Sequence, residues 1–412
     1  MKPLLLSTND IEGGAARAAY RLHQSLRGIQ VPSQMLVQNK DSGDASVKVQ
    51  RSILAKVGER LNHLPLKVYP DRDRVNFSPQ WFPDTLAHKV AQMNPDVINL
   101  HWVCNGYLQI ETLAKFRQPL VWTLHDMWPF TGGCHYGEGC DRYMQACGTC
   151  PSLKSQGNWD ASHWIWQRKA AVYSKLNLTV VAPSQWMADC AQKSSLFNGI
   201  RVEVIPHGLD TMVYKPIDSR WARQLLNLPT DKQLILFGAG SNAIGEPRKG
   251  LALLQAALKQ LTGWGDRVEL VIFGGATPEK AIDFGLKTHY LGRFYDDLPL
   301  VLSYSAADVM IVPSLQEAFG QTASESLACG TPVVAFGATG LKDIIAHEQE
   351  GYLAKPFSVE DLAQGIAWVL ADSDRHHQLR MNARAKAEQE FTLLLQAQRY
   401  SALFDELSTT LK

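Results

Sequence analysis

Two carboxylates, Glu317 and Glu325, stand in the segment Pro313-Ser314-Leu315-Gln316-Glu317-Ala318-Phe319-Gly320-Gln321-Thr322-Ala323-Ser324-Glu325. An apolar run, Val309–Val312, precedes it and a helical pattern follows. Glu317 therefore falls on a strand-to-helix loop, and Glu325 in the first turns of the helix. The amides of a helix's first turn lack intrahelical acceptors and sit at the positive end of its dipole, so they suit a diphosphate. Gly320 lets the backbone approach such a group closely, and Phe319, Gln321 and Thr322 flank it. Glu325 is then placed to accept from ribose hydroxyls, as acidic residues do in other nucleotide sites. Glu317 can reach a sugar. Each glutamate alone could be an ordinary helix-terminal charge; the loop glycine, the pairing and the strand context together point to a site.

Other chemistry-bearing residues lie elsewhere. In Pro247-Arg248-Lys249-Gly250, Lys249 is a point charge able to neutralise a phosphate and Arg248 offers a planar fork. Gly13-Gly14 follows the first apolar run and opens a helix, with Arg17 one turn on. His125-Asp126 ends the run Leu120–Leu124, and His101-Trp102 ends Val97–Leu100. The carboxyl ends of parallel strands are where open α/β sheets bind ligands. Of seven cysteines, four are clustered as Cys134-x5-Cys140-x6-Cys147-x2-Cys150. Four thiolates could hold a tetrahedral zinc, which would close a structural site and leave no position for catalysis. Only the last pair has zinc-knuckle spacing; free thiols are the alternative, and disulfides suit an intracellular chain least.

These residues need scaffolds. Short apolar runs (Leu4–Leu6, Val97–Leu100, Leu120–Leu124, Val180–Ala182, Val202–Ile205, Leu234–Phe237, Val268–Phe273, Val309–Val312, Val333–Phe336) alternate with helical patterns. Most are apolar throughout, as strands covered on both faces should be. Strand–helix–strand alternation implies parallel sheets with right-handed crossovers. The pattern restarts at Gln233-Leu234-Ile235-Leu236-Phe237-Gly238, after Ile205-Pro206-His207-Gly208-Leu209-Asp210 and a polar stretch. This places one domain over 1–206 and a second over 207–390, as the length of 412 residues also suggests. Net charge is +1, so charge balance gives no reason to expect nucleic acid as a partner. No run approaches the ~18 apolar residues of a membrane span. Met1–Ser7 is too short in its apolar part for a signal peptide, so a cytoplasmic protein is expected. Residues 41–95 are least patterned. Ile53, Leu54, Val57 and Leu61, flanked by Arg51, Lys56 and Arg60, read as a packed surface helix or an acceptor-side loop, with peripheral contact at the inner face of a membrane as the alternative.

Glu317 to Glu325, with Ala328-Cys329-Gly330-Thr331-Pro332-Val333-Val334-Ala335 behind it, resembles the E-x7-E donor motif of family 4 retaining glycosyltransferases. Ala182-Pro183-Ser184, Val204 to Asp210, Pro247 to Gly250 and Asp308 to Ser314 are similar to the family in the expected order. The stretch Thr123 to Tyr136 with the following cysteines resembles a subgroup associated with bacterial exopolysaccharide assembly, including colanic-acid-type transferases. The resemblance implies an α/β GT-B fold: two Rossmann-like, doubly wound parallel-sheet domains facing across a cleft. Residues 1–206 would take the acceptor, 207–390 the nucleotide sugar, and a helix within 391–412 would cross back to the first domain. It implies retaining, metal-independent hexosyl transfer from a UDP-sugar or GDP-sugar to a saccharide or polyprenyl-linked acceptor. His125 and Glu317 take the catalytic positions. Gly14, Arg248, Lys249, Phe319, Gly320, Gln321, Thr322 and Glu325 take the donor positions. One departure is Gly240-Ser241-Asn242, where the family often has an arginine. The rivals are a nucleotide-sugar 2-epimerase of the same fold, a non-catalytic nucleotide-sugar binding protein, and a nicotinamide dehydrogenase. Against the last, Gly13-Gly14 does not continue as G-x-G-x-x-G.

Overall fold

The computed structural model describes residues 1–50, 53–239, 246–261, 263–275 and 282–409, the side chains of Ile53 and Lys56 excepted. Gly240-Ser241-Asn242 and Arg51 lie outside the described residues. The chain forms two compact units: Met1–Gly208 together with Leu393–Lys412, and Leu209–Thr392.

In the first unit the apolar runs become a seven-stranded sheet of order β3-β2-β1-β4-β5-β6-β7. The strands are β1 (Pro3–Asn9), β2 (Gln34–Asn39), β3 (Val47–Val49), β4 (Val97–Leu100), β5 (Leu120–Thr123), β6 (Leu178–Ala182) and β7 (Arg201–Val204). Every pairing is parallel, for example Leu4↔Ile98 and Ile98↔Leu120. The inner strands are buried along their whole length, which their uninterrupted apolar character requires. One face is covered by the helix Gly14–Gly28, which buries Ala16, Ala18, Ala19, Leu22, His23 and Leu26. Ala15 is only half-buried. The C-terminal helix Leu393–Thr409 joins the same face. Its Ala397, Tyr400, Leu403 and Phe404 share one apolar cluster with Leu5, Leu22 and Val121, and the Tyr400 hydroxyl lies 2.9 Å from Thr123 Oγ1. The surface helix Ile53–Leu61 forms, with Leu54 and Val57 still exposed.

The second unit carries a six-stranded parallel sheet of order β10-β9-β8-β11-β12-β13. Its strands are β8 (Gln233–Gly238), β9 (Val268–Phe273), β10 (Thr288–Gly292), β11 (Val309–Val312), β12 (Val333–Phe336) and β13 (Gly351–Ala354). Along β8, Leu234 and Leu236 enter one apolar cluster while Ile235 and Phe237 enter another, the alternation of a strand with a core on each face. In both sheets the chain turns back once: β1 and β4 are neighbours in the first, β8 and β11 in the second. At such a switch point the crossovers diverge, which opens a crevice beyond the carboxyl ends of the two strands.

Candidate functional site

Residues 246–250, after β8, meet the loop after β11 at the second unit's switch point. After β11, Gly320 adopts φ 109° and caps the helix Gln321–Ala328. A Cβ there would stand 2.7 Å from Leu341 Cδ2, so close packing as well as backbone conformation demands glycine. After β8, Pro247–Lys249 make a single 3-10 turn that ends on Gly250 at φ 73°. A Cβ on Gly250 would lie 1.9 Å from the carbonyl oxygen of Pro313, so the two loops touch backbone to backbone. The Leu315 N–H donates to the Arg248 carbonyl at 2.8 Å. Arg248 is buried and braces the junction: its guanidinium donates to the Glu246 carboxylate at 2.6 and 3.0 Å and to the Gln316 carbonyl. Arg248, expected from sequence as a donor ligand, thus also braces the two loops.

Lys249 reaches the crevice. Its Nζ lies 2.6 Å from Glu317 Oε1, and the Ser314 hydroxyl donates to the same oxygen at 3.0 Å. Arg248 Nη1 stands 3.8 Å from it. The backbone of Glu317 is fixed by the turn after β12: its N–H donates to Thr339 Oγ1 at 3.1 Å, and the Gly340 N–H donates to its carbonyl at 3.0 Å. Burial pushes the Glu317 carboxyl up, but the charges of Lys249 and Arg248 and the bonds from Lys249 and Ser314 outweigh it. The group is held below the usual carboxylate range and stays ionised. A cavity of about 150 Å³ opens beside this pair, lined by Gly238, Gly274, Pro313, Ser314 and Thr322 as well as Lys249 and Glu317. Thr322 sits in the first helical turn, so the cavity abuts the helix N-terminus, where an anion is favoured.

Glu325 lies deeper, buried on the helix and accepting from the Tyr304 hydroxyl at 2.9 Å. Gln321 is half-buried beside Gly320. Phe319, expected among the donor positions, turns its side chain into the core. Its ring is buried edge-on to Phe391, 5.7 Å between centroids, in the apolar cluster of this unit. Ser314, Thr339, Gly340 and Tyr304 have supporting places that the motif alone does not assign. Thr339 and Gly340 carry one legible signal, a small-residue turn just beyond an apolar strand.

In the first unit, Gly14, His101 and His125 follow β1, β4 and β5 respectively. Gly13 takes φ 96°, ψ 159°, open essentially to glycine alone, and Gly14 begins the helix in an exposed position. Arg17, one turn on, is half-buried. His101 Nδ1 lies 2.9 Å from His125 Nε2, and the His125 ring stacks on His207 at 5.0 Å and 18°. Burial, then the neighbouring rings His207 and His101, pushes His125 well below the ordinary imidazole value. Burial likewise lowers His101 and His207 to about 3. The three are a neutral, hydrogen-bonding group. Beside them Asp126 accepts from Trp102 Nε1 at 2.9 Å, from the Trp128 N–H at 2.9 Å and pairs with His135 Nδ1 at 2.5 Å.

Cys134, Cys140, Cys147 and Cys150 are unbridged and line one cavity of about 20 Å³. Among the described residues no group of three or more His, Cys, Asp or Glu is arranged as it stands to hold a metal ion. Among the same residues no helix is long and apolar enough to cross a membrane.

Residues 12–213 match the family model described as Glycosyltransferase Family 4, and residues 223–386 that of Glycosyl transferases group 1. The D-inositol 3-phosphate glycosyltransferase of Thermobispora bispora is 30% identical over 77% of this chain and 73% of its own length. The same enzyme of Xylanimonas cellulosilytica is 34% identical, but over 45% of this chain, which spans only 46% of that protein. An Escherichia coli protein named as a colanic acid biosynthesis glycosyl transferase is 23% identical over 86% of this chain and 89% of its own. Among solved structures, sucrose-phosphate synthase from Thermosynechococcus elongatus superposes with TM-score 0.73 at 21% identity, covering 100% of both chains. HepE of Anabaena, solved with UDP and glucose, gives 0.66 at 21% identity over 98% of this chain and 100% of its own. The two parallel-sheet units thus have the arrangement of elements known as the GT-B fold.

Proposed function

The chain belongs to glycosyltransferase family 4, and on that premise we propose that it transfers a hexosyl group from a nucleotide-diphosphate sugar with retention of anomeric configuration. The observation that carries this reading is the Lys249–Glu317 pair, 2.6 Å apart, at a switch-point cavity under a glycine-capped helix N-terminus. In the reaction the bond from the anomeric carbon to the diphosphate oxygen breaks, and the nucleoside diphosphate leaves with the electron pair. Lys249 and the first-turn amides neutralise the charge that develops, a preorganised role that makes a divalent cation unnecessary. The acceptor hydroxyl attacks the oxocarbenium-like carbon from the face the leaving group vacates. Its proton passes to the departing phosphate, so no covalent enzyme intermediate is needed. Glu317 stays ionised and orients the sugar, and Glu325 holds the ribose. His125, neutral and aligned by His101 and His207, hydrogen-bonds the substrate without adding charge.

The donor is a UDP-sugar or GDP-sugar. UDP-glucose is the first to try, because HepE has been solved with it. The acceptor is a saccharide, free or polyprenyl-linked, in polysaccharide assembly; support comes from the relative named for colanic acid biosynthesis.

Calorimetry with a panel of UDP- and GDP-sugars, followed by turnover with and without saccharide acceptor in buffer free of Mg²⁺ and Mn²⁺, tests the reading. Nucleotide release that requires acceptor and yields a product with the donor's anomeric configuration is expected. Inversion, donor epimerisation without acceptor, or dependence on an added divalent cation would overturn it.

A further inference from the structure

We propose that Cys134, Cys140, Cys147 and Cys150 bind one zinc ion in a closed, four-thiolate structural site on the first unit. The segment between β5 and the helix Ala161–Tyr173 contains no regular element longer than a three-residue turn. So long an irregular stretch inside a packed unit is uncommon and needs something to hold it.

Its backbone is bent so that the cysteines converge. Cys147, Gly148 and Thr149 are consecutive residues with φ of 52°, 87° and 44°, a left-handed run that costs free energy at the two non-glycine positions. The glycines sit where a side chain cannot. A Cβ on Gly132 would lie 2.4 Å from the Ser162 carbonyl oxygen, and one on Gly148 2.3 Å from that of Asn158. The four thiols then line a single cavity of about 20 Å³, room for one small ion rather than an organic ligand.

Two features beyond the cysteines point to bound thiolates. The main chain around two of the cysteines is pinned: the Leu153 and Ser155 N–H groups both donate to the Cys150 carbonyl at 3.2 Å, and the Cys147 N–H donates to the Arg142 carbonyl at 3.1 Å. Such bonds hold the two side chains where a ligating sulfur needs its backbone fixed. Lys169, fully buried, donates to the Trp128 and Thr131 carbonyls, and its ammonium lies in reach of Cys104, Cys134, Cys147 and the Asp126 carboxylate. A buried ammonium is costly unless an anion faces it. A tetrathiolate zinc centre carries two negative charges, and Lys169 with the cavity-lining Arg142 balances it.

As folded, the four sulfurs do not stand at ligand spacing. Binding therefore contracts the cavity to Zn–S bonds of about 2.3 Å. Zn²⁺ and four thiols give the tetrathiolate complex and four protons, with no change of oxidation state. Four protein ligands leave no open position, so the ion is structural.

The full chain, expressed with zinc in the medium and purified without chelator, should carry one zinc per chain by elemental analysis. All seven cysteines should be alkylated after denaturation without reductant. Cobalt-substituted chain should show the intense visible bands of a tetrahedral tetrathiolate. Cys150→Ser should lose the metal and Cys104→Ser should keep it; should Cys150→Ser fail to fold, stoichiometry and cobalt spectrum on the unaltered chain still decide. Less than a tenth of a zinc per chain, stoichiometric iron instead, or protected cysteines indicating disulfides would each overturn the proposal.

Discussion

Glu317 and Lys249 already neutralise each other, so under the proposed function a donor diphosphate would share Lys249 with the carboxylate. Charge-assisted bonds contribute about 1.5–3 kcal/mol, so Lys249→Ala should weaken nucleoside-diphosphate binding roughly 10- to 100-fold. Calorimetry checks this, and an unaltered Kd removes Lys249 from the site. The buried histidines give a second expectation. Burial, above all, holds His101 and His207 at about 3, His23 at about 4, and His125 well below its ordinary value. Unfolded, each titrates near ~6.5. Below that pH the unfolded chain binds more protons than the folded one. Stability is therefore complete above about 6.5 and falls as the pH drops toward the folded values, by about 1.4 kcal/mol per pH unit for each histidine. Denaturant midpoints of the first unit between about pH 7 and 5 should show that slope, and His207→Asn should flatten it.

At the scale of elements, the site depends on how tightly the loop after β8 lies on the loop after β11. Gly250→Ala would force a methyl into the Pro313 carbonyl and a side chain into a left-handed conformation. Strain alone costs about 1–3 kcal/mol, and relief by separating the loops would pull Lys249 from Glu317. A lower melting point for the second unit together with lost donor binding is expected; wild-type behaviour in both would show that the junction is not critical. The inner strands are legible in the sequence because burial on both faces leaves uninterrupted apolar runs. The strands without such runs each have a reason. β3 is a three-residue edge strand, β10 a half-exposed one with Thr288 and His289, and β13 a short one that begins on a glycine. In β2, Gln34, Gln38 and Asn39 surround a three-residue apolar centre. The Glu317–Glu325 segment is readable because its chemistry is local in sequence. Arg248 as a brace, Phe319 as core and the His101–His125–His207 alignment are not, because each depends on partners brought together only by the sheet.

For the molecule as a whole, the last helix belongs to the first unit although the chain reaches it only after the second. Phe404 is fully buried there among Leu5, Leu22 and Tyr400. Phe404→Ala should cost about 3–5 kcal/mol in the first unit while leaving nucleotide affinity on the second unchanged. A drop in both would mean that the units do not respond separately. Where the chain enters and leaves the second unit, Leu209 and Thr392 are bridged as neighbours, and the Leu209 N–H donates to the Phe391 carbonyl at 2.8 Å. That unit is therefore a cassette whose two ends are already stapled side by side. Recombination at this seam could exchange the whole unit between related chains without cutting through either hydrophobic interior.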